Sequence, residues 1–469
     1  MAQNFLPCDR DQELLLPPSL REWLPEDHLA WFVLDSVAEL DLDGFYSAYR
    51  ADGWGAAAHD PQMMVALLLY AYSIGVRSAR GIERRCSEDV AFRVITANQA
   101  PDHATIARFR ARHEQAISEL FSGVLSLCAR AGLVKVGIVA IDGTKIAAAA
   151  THHSNRGYEQ IAKEIVEEAG RVDAAEDELY GEARGDELPE GLRTAGDRRK
   201  WLREAKQALE AERAAAAKKV PRDRAERLSE CKDRLEQDWR LERRVVEEHA
   251  AWHARGIASD GSRRTTGAEA NIKPYPLPEK PAGKINVTDP DSRNLKTTRG
   301  WVQGYNAQAA VTPEQIVIAA EISTESLDTA NLEPIVNTAG EELRSAGVSA
   351  KPGVILADAG YWKNDAIEAI VSQGIQTLIA PDADRRKEPR PGRRGGLYDF
   401  TRRVLATDWG KELYLRRQGT VEPVFGQIKS NRGANRFLRR GRSAVRSEWR
   451  LLTATHNLLK LHQHQLAPT

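Results

Sequence analysis

Asp142, Asp358 and Glu422 are the acidic residues whose positions in the sequence suggest chemistry. Each aspartate follows a short apolar run rich in branched side chains, which is typical of a buried strand. Glu422 stands directly before Pro423, and because proline suits the first turn of a helix, this order predicts that Glu422 begins a helix. Carboxylates are the side chains that hard divalent cations prefer as ligands. The three acids could therefore support metal-assisted chemistry if the fold brings them together.

The charge distribution indicates what such a site would act on. The whole chain is neutral, with 67 basic and 67 acidic residues among 469. The segment 385–450, which contains Glu422, instead carries 19 Lys and Arg against 6 Asp and Glu. A run of like charge is often only a solvated surface. An excess of this size around a candidate catalytic acid favours a polyanionic partner such as DNA.

Three motifs occur in order along the chain: Ile-Asp-Gly-Thr around Asp142, Ala-Asp-Ala-Gly-Tyr around Asp358, and a Tyr, Arg, Glu, Lys series around Glu422. Together they resemble the DDE transposases of bacterial insertion sequences, and the resemblance covers most of the chain. One position differs from the family's signature, in which the arginine lies four residues before the glutamate. Gln418 occupies that position here, and Arg417 lies five residues before Glu422.

The resemblance implies an enzyme that cuts DNA at the ends of an insertion sequence and joins the freed 3′-hydroxyls to target DNA. In such an enzyme, Asp142, Asp358 and Glu422 hold two Mg²⁺ ions, for which Mn²⁺ substitutes. The partner would be double-stranded DNA, bound by a homodimer. An RNase H-like nuclease without strand transfer and a catalytically inactive DNA-binding regulator derived from a transposase are the alternatives. Tyr414, Arg417 and Lys429 are the residues expected to contact DNA, with Arg417 one position away from the arginine of the family's signature.

The pattern of apolar runs predicts an α/β fold with a mixed sheet flanked by helices. Gly143 is a turn signal after the Asp142 strand, so a second strand is expected to begin at Ile146. Residues 301–322 form a predicted antiparallel hairpin. Alternating helix and strand patterns from 329 to 380 predict the parallel half of the sheet. With the hairpins, this gives a five-stranded RNase H-like arrangement, as the resemblance also implies.

Residues 1–130 contain helical patterns and form a predicted N-terminal all-α domain. Asp60, which precedes Pro61, and Asp102 are predicted helix caps, and the helix after Asp102 runs to about His113. Arg108 and Arg112 share the outer face of that helix, at a spacing of four residues. Two short helices followed by a basic one suggest a helix-turn-helix, and a supporting helical bundle is the equal alternative. The resemblance favours DNA binding, because such transposases recognise their element's ends with an N-terminal helical domain.

The remaining boundaries follow from composition. Residues 151–284 are a predicted helical insertion, with two long charged helices broken at Pro221 and then a loop rich in glycine and proline. Asp289 and Asp291, in a proline-flanked turn after this insertion, are secondary candidate acids. The expected domains are the catalytic core in 131–150 and 285–440, and a C-terminal helix in 441–469 that packs on it.

Other classes of protein are disfavoured by the composition. The four cysteines are far apart and contain no Cys-x-x-Cys pair, so neither a disulfide framework nor a zinc site is expected. The start of the chain lacks a signal-peptide pattern, and no apolar run is long enough to span a bilayer, which predicts a cytoplasmic protein. The resemblance to DNA transposases implies that it is nucleoid-associated. A scaffold built on the charged helices would leave the basic segment 385–450 unexplained.

Overall fold

The computed structural model describes residues 19–49, 58–180, 224–254, 277–297, 300–325, 327–382 and 395–466. The chain divides into two compact units, Met1–Ala150 with Asp291–Thr469, and Thr151–Pro290. The predicted long helix before Pro221 and most of the basic loop expected at 385–396 lie outside the described residues. Within the described ranges, no helix is long and apolar enough to cross a membrane.

The described N-terminal part of the first unit is helical, as predicted. Asp60 and Asp102 cap two of these helices by accepting hydrogen bonds from the backbone N–H groups of Gln62 and Thr105, at 2.7 and 2.5 Å. Both helix starts expected from the sequence are therefore confirmed. The helices are α1 (Leu29–Ala38), α2 (Asp43–Tyr46), α3 (Pro61–Ser73), α4 (Ala79–Glu88), α5 (Val90–Ile95), α6 (His103–Arg112) and α7 (Glu114–Arg130).

A mixed sheet forms the centre of the first unit. Its strands are β1 (Ile138–Ala147), β2 (Arg293–Thr297), β3 (Gly300–Val311), β4 (Val317–Ser323), β5 (Val354–Ala357) and β6 (Gln376–Ile379). The order is β2-β3-β1-β5-β6, with β4 also paired to β3. β1, β5 and β6 run parallel, whereas β3 is antiparallel to β1, β2 and β4.

The described sheet has six strands, so the predicted number of five is wrong. The additional strand is β2, which pairs with the first residues of β3, from Gly300 to Gly304. β4 pairs with the later residues of the same strand, from Asn306 to Val311. Because β1 occupies the other edge of β3, β2 and β4 follow one another along a single edge. The sheet is therefore five strands wide, and the long β3 accommodates the sixth.

Gly143 lies inside β1, and the prediction of a turn at this residue is wrong. β1 pairs with β3 without interruption from Ala140 to Ala147, with Gly143 opposite Gln308. The physical reason for a glycine here is close approach: a Cβ atom at this position would lie 2.3 Å from Nε2 of Gln308. Glycine is needed for space beside β3, and the backbone pairing keeps the strand extended.

The helices of the second half of this unit flank the sheet. The last of them packs on α3, α7 and β4, and its Trp449 is fully buried. N-terminal helices and sheet thus share one hydrophobic core, while the functional domain boundaries stay a prediction. These helices are α8 (Leu332–Ser345), α9 (Asn364–Ser372), α10 (Gly396–Ala406), α11 (Asp408–Gly426) and α12 (Arg442–Leu466).

Glu422 does not begin a helix, which corrects the prediction made from Pro423. α11 begins at Asp408, where the Thr407 side chain caps it, and Pro423 lies in its interior. Proline removes a backbone donor and crowds the carbonyl four residues earlier, which here belongs to Gly419. Burial of apolar residues on both sides of the proline stabilises the helix, and a π-helical segment, Gln427–Asn431, follows it.

The second unit contains the described part of the predicted helical insertion. Its helices are Tyr158–Tyr180 and Arg224–Ala254, beside two short strands, Asn155–Gly157 and Lys284–Asn286, that pair antiparallel. The helix Arg224–Ala254 carries an apolar stripe, three members of which are buried against the helix Tyr158–Tyr180 and the strand Lys284–Asn286. These are Leu228, Cys231 and Leu235.

Candidate active site

Asp142 and Asp358 come together where the parallel pairing of two neighbouring strands, β1 and β5, ends. β1 pairs with β5 from Ile138 to Ala140, and Asp142 lies two residues beyond that pairing. Asp358 directly follows the last residue of β5. The two carboxylates are close enough for Asp358 to raise the pKa of Asp142. The sequence expectation that these strands deliver both acids to one sheet is met.

The pKa of Asp142 is raised to about 6, from an ordinary value of 3.8. Burial of the carboxylate is the main cause, and the negative charges of Asp358 and Asp328 add to it. Arg417 and the backbone N–H of Gly143 oppose the rise. The carboxylate of Asp142 therefore lies in a poorly solvated environment beside like charges. A bound cation would stabilise its ionised form there.

A tight turn after β5 fixes Asp358. Its Oδ1 accepts a hydrogen bond from the backbone N–H of Gly360 at 2.9 Å, which caps the short 3-10 helix Ala359–Tyr361. Tyr361 is fully buried, and its hydroxyl donates to Oε1 of Gln308 on β3. Burial, followed by the charges of Asp328, Asp142 and Asp358, raises the pKa of Tyr361 well above its usual range. Tyr361 thus ties the Asp358 turn to β3 as a neutral donor.

Asp328 is a third acid in this place, and the sequence reasoning missed it. It begins the short 3-10 helix Asp328–Ala330 after β4, and its Oδ1 accepts hydrogen bonds from Asn306 Nδ2 and Gln308 Nε2 at 2.7 and 3.0 Å. The available signal was the pair Asn306 and Gln308, two polar residues at alternate positions in the half of β3 that otherwise consists of alanine and valine. Buried polar side chains require partners, and Asp328 supplies one.

Arg417, expected to contact DNA, forms an ion pair with Asp142 in this structure. Its Nη1 donates to Asp142 Oδ2 at 3.1 Å, with only 10% and 20% of the two side chains exposed. Its guanidinium carbon also lies 5.8 Å from the ring centroid of Tyr414, the residue one turn earlier on α11. The arginine therefore brings the helix that carries Glu422 against the strand that carries Asp142.

Lys429 contacts the same strand beyond Asp142. Its Nζ donates to Thr144 Oγ1 at 2.9 Å and to the backbone carbonyl of Lys145 at 3.3 Å. Lys429 belongs to the π-helical segment that continues α11, so this segment and α11 both reach β1. Thr144 follows Asp142 by two residues and faces the same side of the strand.

Glu422 lies on α11 between Arg417 and Lys429, and its side chain is exposed. Among the residues that the structure describes, no three Asp, Glu, His or Cys side chains are grouped closely enough to hold one metal ion. The structure therefore brings Asp142 and Asp358 together, and it places Glu422 on the neighbouring helix. A site in which all three acids share metal ions stays a proposal.

The secondary candidate acids have structural contacts. Asp291 Oδ2 accepts a hydrogen bond from the backbone N–H of Arg442 at 2.7 Å, at the first residue of α12. Asp289 is buried in the second unit, where its backbone N–H donates to the side chain of Asn286. These contacts explain both residues as parts of turns.

Arg108 and Arg112 are exposed on α6, in agreement with the predicted outer face. Both line a surface cavity of about 300 Å³ between α6 and neighbouring residues, whose wall also includes His59. The guanidinium of Arg112 lies 5.5 Å from the ring centroid of Tyr49. This end of the helical region thus presents two arginines beside aromatic surface, a combination that suits a nucleic-acid backbone.

Comparison with known proteins identifies two family regions in the chain. Residues 18–112 match a family described as "Transposase domain (DUF772)", and residues 278–458 match a family described as "Transposase DDE domain". A DDE domain implies an RNase H-like fold, which agrees with the mixed sheet described above. Neither the curated proteins nor the solved structures include a significant match.

Proposed function

Because the chain belongs to the DDE transposases of insertion-sequence type, we propose that it cuts DNA at the ends of an insertion sequence and joins the freed 3′-hydroxyls to target DNA. The observation that carries this proposal is the pairing of Asp142 with Asp358. Two acids from distant parts of the chain meet where the parallel pairing of β1 with β5 ends, and the charge of Asp358 raises the pKa of Asp142.

The acids suit a divalent cation. DDE transposases generally use divalent metals, and carboxylate oxygens are the ligands that Mg²⁺ and Mn²⁺ prefer. We propose that Asp142, Asp358 and Glu422 hold Mg²⁺, and that Mn²⁺ substitutes for it. When bound in a phosphoryl-transfer site, such ions activate the attacking oxygen and stabilise the leaving one. The raised pKa of Asp142 supports this assignment, because a cation would offset both the burial and the like charges that raise it.

Glu422 would complete the site from α11. Arg417 and Lys429 hold the helix against β1 on either side of Glu422, and a shift of the helix or of the side chain would bring its carboxylate to the two aspartates. DNA offers a physical reason for that shift, since its phosphates compete with Asp142 for Arg417. In the proposed complex, Arg417, Lys429 and Tyr414 face the DNA backbone, and the acids face the scissile phosphate.

The helical N-terminal region would recognise the ends of the element. The exposed arginines of α6 and their aromatic surroundings support this role. A second copy of the chain would be required to hold two element ends at once, so we propose that the protein acts as a homodimer on DNA. These assignments rest on the family and on the charge of the described surface.

The test is a cleavage and joining assay with supercoiled DNA that carries the flanking element ends, in the presence of Mg²⁺. Asp142→Asn, Asp358→Asn and Glu422→Gln keep the side-chain shapes and remove the charges. Each should reduce cleavage by several orders of magnitude while DNA binding persists, because metal-stabilised charge is worth several kcal/mol in the transition state.

A matched control is Glu412→Gln, which changes an exposed acid on the same helix that pairs with the exposed Arg416. This variant should cleave normally. Cleavage without joined products would indicate a nuclease instead of a transposase. Full activity in the Asp142 and Asp358 variants would refute the proposed site.

A further inference from the structure

Asp328 is held in a fixed position by two buried amides. Asn306 and Gln308 are each only 1% exposed, and both donate to Oδ1 of this aspartate. The Gln308 amide is itself fixed, because its Oε1 accepts the hydroxyl of Tyr361. The backbone carbonyl of Gln308 also accepts a hydrogen bond from Trp449 Nε1 at 3.0 Å. A carboxylate with such partners cannot reorient without breaking contacts in the core.

The carboxylate of Asp328 borders the glycines of both aspartate motifs. A Cβ atom at Gly143 would lie 3.0 Å from Asp328 Oδ1, and a Cβ atom at Gly360 would lie 3.6 Å from Asp328 Oδ2. These glycines follow Asp142 and Asp358 by one and two residues. Both motifs therefore have a glycine at the place where any side chain would meet this third acid or its amide partners.

One buried polar atom beside this cluster lacks a partner within the described part of the chain. Oδ1 of Asn306 makes no hydrogen bond there, although the residue is almost completely buried. The orientation of its amide is set by Nδ2, which donates to Asp328 Oδ1 and to the carbonyl of Glu325. Oδ1 lies 2.8 Å from the position of a Cβ atom at Gly143, next to Asp142. An unpaired buried carbonyl oxygen favours a cation or the water that a cation carries.

We propose that Asp328 is a positioning residue of the metal centre, whose fixed negative charge strengthens the binding of a divalent cation by Asp142 and Asp358. This inference rests on the proposed function, and it adds a residue outside the three acids expected from the motifs. The charge acts over a short distance in a poorly solvated environment, so removing it should weaken cation binding measurably. Asp328 also supports the Asp358 turn through Gln308 and Tyr361, which couples the position of one acid to the charge of another.

The test is the binding of Mn²⁺ to the full-length protein, followed by the electron paramagnetic resonance signal of the free ion. Asp328→Asn keeps an oxygen that can accept from Asn306 and Gln308, and it removes the charge. We expect the dissociation constant for Mn²⁺ to rise at least fivefold, with the melting temperature of the metal-free protein nearly unchanged. Asp328→Glu, which retains the charge, should recover part of the affinity.

The matched control is Glu325→Gln, an exposed acid three residues earlier in the same connection. It should bind Mn²⁺ as the unaltered protein does. Equal affinity in the Asp328→Asn variant, or an equal loss in the control, would overturn the inference and leave the proposed function intact. Failure of the unaltered protein to bind Mn²⁺ with or without DNA would overturn both. If Asp328→Asn does not fold, Asp328→Ser is measured in its place under the same criteria.

Discussion

Arg417 Nη1 lies 3.1 Å from Asp142 Oδ2, so the positively charged guanidinium of Arg417 occupies one side of the Asp142 carboxylate. The residues are 275 positions apart in the chain, and both side chains are mostly buried. In the absence of metal, Arg417 is the positive charge that offsets the burial of Asp142 and its negative neighbours. The pair therefore links the arrangement of α11 to the charge state of the candidate site.

Replacing Arg417 by Ala should destabilise the metal-free protein by about 3 kcal/mol, because the partner acid is left buried without its cation. Added Mg²⁺ should restore more stability to this variant than to the unaltered protein, since a bound ion would replace the lost charge. Thermal unfolding with and without Mg²⁺ measures both effects. Arg416→Ala, which breaks an exposed pair with Glu412, should change stability by less than about 1 kcal/mol. An equal response to Mg²⁺ in both variants would contradict this interpretation.

Replacing Gly143 by Ala should disrupt the amide contacts of Asp328. The added Cβ would lie 2.3 Å from Gln308 Nε2 and 2.8 Å from Asn306 Oδ1, so these side chains must move. We expect a loss of about 1–3 kcal/mol in unfolding free energy, as for overpacking in other cores, together with weaker Mn²⁺ binding. Gly340→Ala on α8 is the control, because its Cβ would meet nothing within 4 Å and should be neutral or stabilising. Chemical denaturation that finds both variants equally stable would refute the close-approach explanation.

Arg108→Ala combined with Arg112→Ala should weaken binding to the element's ends. Each lost phosphate contact removes roughly one unit from the slope of log affinity against log salt concentration, so the double variant should lose about two. Fluorescence anisotropy over a series of salt concentrations gives this slope directly. Arg84→Ala combined with Arg130→Ala removes two other exposed arginines from α4 and α7 and should leave the slope unchanged. An unaltered slope in the first double variant would remove α6 from the DNA interface.

Acid should destabilise the protein through His456. Burial and the nearby charge of Arg432 lower the pKa of this histidine to about 3, from 6.5. The unfolded chain therefore binds a proton more readily, so the stability is fully present above pH 6.5 and is lost as the pH falls toward 3. The loss should be on the order of 2–4 kcal/mol.

His456→Gln should reduce that acid dependence, because the glutamine amide does not titrate. The amide can still donate to the carbonyl of Gln315, as His456 Nε2 does at 2.9 Å. Unfolding free energies measured at several pH values between 7 and 4 give the comparison. His464→Gln, a change of an exposed histidine on the same helix, should follow the unaltered protein. A pH profile of the His456 variant that matches the unaltered protein would assign the acid sensitivity to other groups.

The sequence by itself determined the features that depend on neighbouring residues. Apolar runs located the strands that lead to Asp142 and Asp358, and the capping residues Asp60 and Asp102 located helix starts correctly. The family followed from the same motifs, and the two family regions confirm it. These features could be predicted because strand propensity, caps and motif order act over a few residues of chain.

Only the tertiary structure decided which side chains meet. Asp328 has no motif of its own, and it joins the acids because the register of β1 against β3 places Gly143 opposite Gln308. Arg417 contacts Asp142 because α11 packs across β1. The helix start expected at Glu422 was wrong for a related reason: burial of residues around Pro423 outweighs the local cost of a proline inside a helix. Register and packing depend on the whole chain, and no local pattern of residue types encodes them.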